Sequence, residues 1–226
     1  METPVANILL KARWATDLDP NQQTSLVKSM QVRDFSPGMI VAGKGERVDA
    51  WIGVLSGLVK INSVSPEGKS VTFTGVPAGG WLGEGSLLKS EPRKYDVVAI
   101  RPSKIAFMPR AVFQGLLDSS ISFNRFLLLQ LNERLAQFIA TVEYYRLLGP
   151  DERVARCIAE LYNPLLYPGN QPELQISQEE LGYLCGISRQ RANKALGTLS
   201  TAGLLARQYG GIRILDLTRL KTWVKG

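Results

Sequence analysis

Arg189, Gln190, Arg191, Asn193 and Lys194 fall within about one and a half helical turns of the stretch LGYLCGISRQRANKALGTL, residues 181–199. Ser188 stands immediately before them, where a helix cap belongs. From Leu181 to Leu215 there are five basic residues, Arg189, Arg191, Lys194, Arg207 and Arg213, and no acidic one. Such a face suits one chemistry well. An arginine donates two parallel hydrogen bonds to O6 and N7 of guanine, and glutamine or asparagine does the equivalent for N6 and N7 of adenine. A helix N-terminus with a serine cap suits phosphate oxygens. The competing explanation is a solvated basic face that serves solubility alone.

Other chemistries lack their residues. The chain has no histidine, which removes histidine general bases, Ser-His and Cys-His nucleophile pairs, and histidine-ligated zinc or haem. Cys157 and Cys185 are the only cysteines and form no C-x-x-C pair, so no Cys₄ metal or iron–sulfur set exists within one chain. They read as two ordinary thiols of a reducing compartment. Glu84 and Asp96 have no second acid placed for glycoside hydrolysis or acid–base work, so no enzyme is expected. The net charge of +7 over 226 residues favours a polyanionic partner. The first twenty residues, METPVANILLKARWATDLDP, do not read as a signal peptide. No apolar run approaches the roughly 18 residues of a membrane span. A soluble, cytoplasmic protein with no membrane partner is expected.

The elements that must position the basic face follow from hydrophobic period and punctuation. Residues 37–110 hold short β-rich runs cut by PEGK, PAGG, SEPR and RPSK, the pattern of an antiparallel barrel or jelly roll. From Ser120 to Leu148 there is neither proline nor glycine. Ile121, Asn124, Leu128, Leu131, Leu135, Phe138, Val142 and Tyr145 recur there at alternating intervals of three and four, a heptad seam. The spacing predicts a helix about 42 Å long at 1.5 Å per residue. The seam is expected to pair with a second copy, Asn124 fixing register, the competing explanation being an amphipathic helix packed on its own barrel. Phe126, Leu127 and Ile139 offer a second strip to the barrel, and Gly149-Pro150 stops the helix. Beyond it, ERVARCIAELYNPLL and ISQEELGYL read as helices, the latter with a Ser177/Glu180 capping box. Gly182, four residues before Gly186, lets the basic helix cross close, and Ala192, Leu196 and Leu199 point inward. ARQYGGIRILDL reads as a hairpin around Gly210-Gly211. Two helices, a turn and a hairpin make a winged helix-turn-helix.

With these stretches in view, the chain resembles the CRP/FNR family of bacterial transcription regulators over nearly its whole length. ISQEELGYLCGISRQRANKALGTLSTAGLL looks like the family's helix-turn-helix. GERVDAWIGVLSGLVKI is similar to its β-roll, and GEGSLLKSEPRKYDVVA to its nucleotide-phosphate cassette. The resemblance implies an α+β chain: an antiparallel β-roll (jelly roll) sensor at 1–119, a dimerisation helix at 120–148 and a winged helix-turn-helix at 149–226. It implies a homodimer on a pseudo-palindromic site in double-stranded DNA, working with RNA polymerase under an effector bound at the β-roll. Arg189, Gln190 and Lys194 take the base-reading positions, with Ser188 and Gln178 near phosphates and Arg191 and Asn193 on the same face. In the cassette, Gly83 and Glu84 would meet the ribose, Arg93 the cyclic phosphate, and Lys94 would add charge. Phe138 and Ile139 fall where the base lies. The dimer seam takes Leu128, Leu131, Leu135, Phe138, Val142 and Tyr145.

The family's commonest pattern has Glu at the place of Gln190 and Ser or Thr at that of Lys94. The half-site sequence and the effector therefore do not carry over. Cyclic AMP, another cyclic mono- or dinucleotide, a different ligand or none all stay open. Haem and iron–sulfur sensing, also found in the family, lack their ligands here. The reading from another class is a small-molecule binding module whose basic domain is a protein-interaction surface.

Overall fold

The computed structural model describes residue 12, residues 14–168 and residues 172–224. The reading of residues 1–20 as leader-free falls mostly outside these. The β-branched runs fold into two four-stranded antiparallel sheets. One orders β1 (Gln31–Phe35), β8 (Ser103–Pro109), β3 (Ala50–Ser56) and β6 (Trp81–Leu82). The other orders β2 (Ile40–Ala42), β7 (Asp96–Ala99), β4 (Leu58–Val64) and β5 (Ser70–Pro77). Ile52, Val54 and Ile105 share a core with Val59, Ile61 and Val97 between the sheets. Trp51, Leu55, Ala106 and Met108, the alternate residues of the same strands, belong to a second core. Strand β3 is thus covered on both faces, which is why it reads as an unbroken apolar run.

That second core is aromatic. Trp51 and Trp81 lie 4.4 Å apart between ring centroids, and Trp14 and Phe123 stand at 5.5 Å and 5.7 Å from Trp51. Such pairs add about 0.5–1.5 kcal/mol each beyond the area they bury. Helices α1 (Pro20–Ser29), α2 (Glu84–Lys89) and α3 (Arg110–Ser119) flank the roll. The strand punctuation announces none of them, although Asp19 and Gln22 form a full capping box for α1 with Pro20 at its first position.

Helix α4 (Ile121–Leu147) runs 27 residues, as the heptad spacing predicts. Two details differ. Gly149 does not close it: Leu148 is extended, and Gly149, held extended before Pro150, is the N-cap of α5 (Pro150–Glu160). Asn124 does not lie free on the seam. Its amide donates to the carbonyls of Leu117 and Ser120, at 2.6 and 2.9 Å, and so finishes α3. The strip facing the roll also differs from expectation. It begins with Phe123 and Leu127 and continues with buried Gln130, Arg134 and Gln137, while Ile139 is 61% exposed.

Helix α5 is shorter than the run to Leu166 predicts. Asn163 accepts from the backbone N–H groups of Leu165 and Leu166 at 3.0 Å, and Pro164 adds no donor. The remainder is β9 (Glu173–Leu174), α6 (Gln178–Cys185), α7 (Arg189–Thr201), β10 (Leu205–Gln208), β11 (Gly211–Ile214) and α8 (Leu217–Thr222). Strands β10, β11 and β9 form an antiparallel wing. Gln208 pairs with Gly211, so the two-residue loop is Tyr209-Gly210, one place earlier than expected. Gly211 opens β11, and only glycine fits there, because a Cβ would come 2.5 Å from the Leu174 carbonyl oxygen.

Candidate nucleic-acid interface and buried ligand cluster

The basic helix is positioned from beneath. Ala192, Ala195, Leu196 and Leu199 of α7 are buried against Leu181 and Leu184 of α6 and Val154 and Ile158 of α5. A Cβ on Gly182 would come 2.8 Å from the Ile187 carbonyl oxygen, so only glycine admits this close crossing. Ser177 accepts from the Glu180 N–H at 3.1 Å, and the Glu180 carboxylate accepts from the Ser177 N–H, the capping box that starts α6. Ser188 accepts from the Arg191 N–H at 3.3 Å and starts α7. With one face anchored, the other is free. Arg189, Gln190, Arg191, Asn193 and Lys194 are all exposed, and Gln178 is half-buried at the start of α6.

A groove of about 350 Å³ runs between α6, α7 and the wing. Gln178, Arg189, Arg207 and Gln208 line it, with Glu179 as its carboxylate. Arg207 Nη2 donates to Asn193 Oδ1 at 2.7 Å and ties the wing to α7. The sequence groups Arg207 with the basic residues by charge alone, and only the fold brings it to Asn193. The exposed face of the helix is positive and rich in side chains that can donate hydrogen bonds. It matches a duplex groove and its phosphates.

The cassette residues lie inside the roll. Glu84 and Arg93 are buried. Trp51 Nε1 donates to Glu84 Oε2 at 3.2 Å. Arg93 passes beside Gly83 and over the Tyr95 ring at 6.0 Å. Its Nε and Nη1 have no hydrogen-bond partner among the described residues. Burial, and then the Glu84 carboxylate, push the Tyr95 hydroxyl pKa up. The helix residue that joins this cluster is Arg134. It donates to Tyr167 Oη at 2.7 Å, Gln137 Oε1 at 3.1 Å and the Trp81 carbonyl at 3.2 Å. Burial disfavours its charge, but Tyr167 and Glu84 outweigh that and raise its pKa. Sequence reasoning misses Arg134. Its signal is the polar trio Gln130, Arg134 and Gln137, which continues the apolar strip of Phe123 and Leu127 at helical spacing.

Other cassette candidates lie apart. Lys94 is exposed and pairs with Glu91 at 3.4 Å. Phe138 lines a separate groove of about 910 Å³ with Lys60, Phe73, Tyr145 and Tyr183, to which neither Glu84 nor Arg93 contributes. Along the seam, Leu128, Leu135, Val142 and Tyr145 are exposed, and Leu131 and Phe138 are half-buried.

Comparison with known proteins agrees with both halves. A cyclic nucleotide-binding domain matches residues 32–120 and a Crp-like helix-turn-helix domain matches residues 152–223. The CRP-like cAMP-activated global transcriptional regulator of Mycobacterium tuberculosis is 26% identical over 216 residues, 94% of this chain and 96% of its own. Transcriptional regulator SdrP of Thermus thermophilus is 29% identical over 170 residues, 74% of this chain and 80% of its own. In fold, FixK2 of Bradyrhizobium japonicum superposes with a TM-score of 0.70 at 18% identity, covering 85% of this chain and 96% of its own. No helix among the described residues is long and apolar enough to cross a membrane. The chain belongs to the CRP/FNR family and is a transcription regulator that joins a cyclic nucleotide-binding domain to a DNA-binding helix-turn-helix.

Proposed function

We propose that this regulator acts in the cytoplasm as a homodimer on pseudo-palindromic DNA, with RNA polymerase as its partner there and no catalytic activity of its own. Residues 1–119 form the sensor, 120–148 the dimerisation helix and 149–226 the DNA-reading domain. Arg189, Gln190 and Lys194 face base edges, and Ser188, Gln178 and Arg191 face phosphates. The observation that carries this reading is the two-sided character of α7. One face is buried in the domain core, and Arg189, Gln190, Arg191, Asn193 and Lys194 on the other stand exposed. Leu128, Leu135 and Val142, exposed on α4 at seven-residue intervals, support pairing of two copies.

The effector is an anion held at the buried cluster, and a cyclic mono- or dinucleotide is the class that fits. Two buried guanidinium groups, Arg93 and Arg134, stand there against the Glu84 carboxylate. A phosphate would balance the charge and supply acceptors for Arg93 Nε and Nη1.

Selection of the full-length protein on random duplexes tests the reading. The expected product is a two-fold site with half-sites centred about 10 base pairs apart. Arg189→Ala should cost about 1–3 kcal/mol on that site and relax one base position in each half. Failure to enrich any sequence over non-specific binding would overturn it.

A further inference from the structure

Asn193 stands among the exposed residues of α7, where its side chain would be taken for a base reader. To read adenine it must use Oδ1 and Nδ2 together, one accepting from N6 and the other donating to N7. In the structure Oδ1 accepts from Arg207 Nη2 at 2.7 Å, which turns the amide toward the wing and holds it there.

The wing is built to make that contact. Arg207 pairs with Ile212 across the hairpin, so both side chains project from the same sheet face. Ile212 is buried in the core that includes Ala192, Ala195 and Leu196 of α7. Arg207 therefore leaves the wing toward α7 and reaches Asn193 at the edge of that core. A neutral acceptor fixes the guanidinium without cancelling its charge. Arg213, on the partner strand, differs: it pairs with the Glu173 carboxylate at 3.4 Å. Among the described residues no carboxylate pairs with Arg207, and most of its five donors remain free. It lines the same groove as Arg189 and Gln178.

We propose that Arg207 is a phosphate contact made by the wing, and that Asn193 is a positioning residue that aims Arg207 rather than a reader of bases. This rests on the DNA-binding reading above. It adds that wing and recognition helix approach the duplex as one unit. One half of the Asn193–Arg207 pair sets its orientation and the other supplies its charge.

The test uses the full-length protein and two labelled duplexes of equal length, one carrying the selected site and one unrelated, titrated by fluorescence anisotropy across a salt series. Arg207→Ala should weaken binding about tenfold on both duplexes. It should also flatten the slope of log affinity against log salt by about 2 per dimer, since each phosphate contact contributes about 0.9. Arg207→Lys should restore most of the slope. Asn193→Ala should weaken both duplexes by a smaller factor and leave the base preferences of the selected site unchanged. The double variant should bind no worse than Arg207→Ala. Two results overturn the inference: Asn193→Ala relaxing one base position at constant salt slope, or Arg207→Ala binding both duplexes as the unaltered protein does. If selection finds no preferred site, the regulator reading fails by itself, because the unrelated duplex still reports whether Arg207 touches phosphate.

Discussion

A buried arginine with unmet donors is the most telling single residue in the sensor. Arg93 has its Nε and Nη1 shut from solvent without an acceptor among the described residues, and Arg134 adds a second buried positive charge nearby. Buried donors left without an acceptor are costly, and an apolar side chain of similar length in place of the guanidinium removes that cost. The unliganded protein bearing Arg93→Met should therefore gain about 1–3 kcal/mol in urea unfolding. The same variant should lose any rise in melting temperature that cyclic nucleotides give the unaltered chain. A destabilised Met variant would mean that Arg93 is satisfied by contacts within the roll and waits for no anion. At this scale the sequence is informative where a residue acts alone. The exposure of Arg189, Gln190 and Lys194 follows from helical period and from the placement of Ala192, Leu196 and Leu199. It is silent where roles come from distant partners. Nothing local joins Arg134 to Tyr167, or Asn193 to Arg207, because those contacts exist only once the chain has folded.

Among the elements, α4 carries the clearest sequence signal and the most instructive departures from it. Its extent follows from 27 residues free of proline and glycine. The heptad positions divide into an exposed line, Ile121, Leu128, Leu135 and Val142, and a second line in which Asn124, Leu131 and Phe138 are half-buried and Tyr145 at its end is exposed. The period alone cannot make that division, since it does not say which flank the β-roll covers. Leu135, 58% exposed in the single chain, adds little to the folding of one protomer, yet it would be buried twice in a two-fold pair. Each buried leucine is worth about 1.5–3 kcal/mol, so Leu135→Glu should weaken self-association at least about hundredfold. Sedimentation should then find a monomer whose far-UV circular dichroism matches that of the unaltered protein. A dimer that persists would place the pairing surface elsewhere on the molecule.

Across the whole molecule, the sensor and the DNA-reading half share their cores. Leu58 of β4 belongs to the cluster that holds α5, α6 and α7. In return, Leu166 and Tyr167, which follow α5, are buried among Ile52, Val76 and Leu82 of the roll. The Tyr167 hydroxyl donates to the Gly75 carbonyl at 3.1 Å, and Arg101 pairs with Glu180 across the same boundary at 3.1 Å. The linear order of elements is legible from pattern and punctuation. This docking is not, because it depends on atoms that two glycines leave out. A Cβ on Gly80 would come 2.9 Å from the Tyr167 ring, and one on Gly75 would come 3.1 Å from Leu161 and Leu184. Gly75→Val suits a strand by its own propensity, so β5 should persist while the added methyl groups press on α5 and α6. Hydrogen exchange should then show faster opening of α5 and α6, with β3 and β8 still protected. Arg189, Gln190, Arg191, Asn193 and Lys194 of α7 are exposed while the two halves are docked. The wedge should therefore leave affinity for unrelated duplexes within about twofold, the charge that governs it being untouched. It should lower affinity for the selected site, where the two reading heads must be held at fixed spacing. Unchanged exchange in α5 and α6 would mean that the docking face yields to the extra carbons and does not hold the heads. Equal loss on both duplexes would mean that the wedge has disturbed α7 itself.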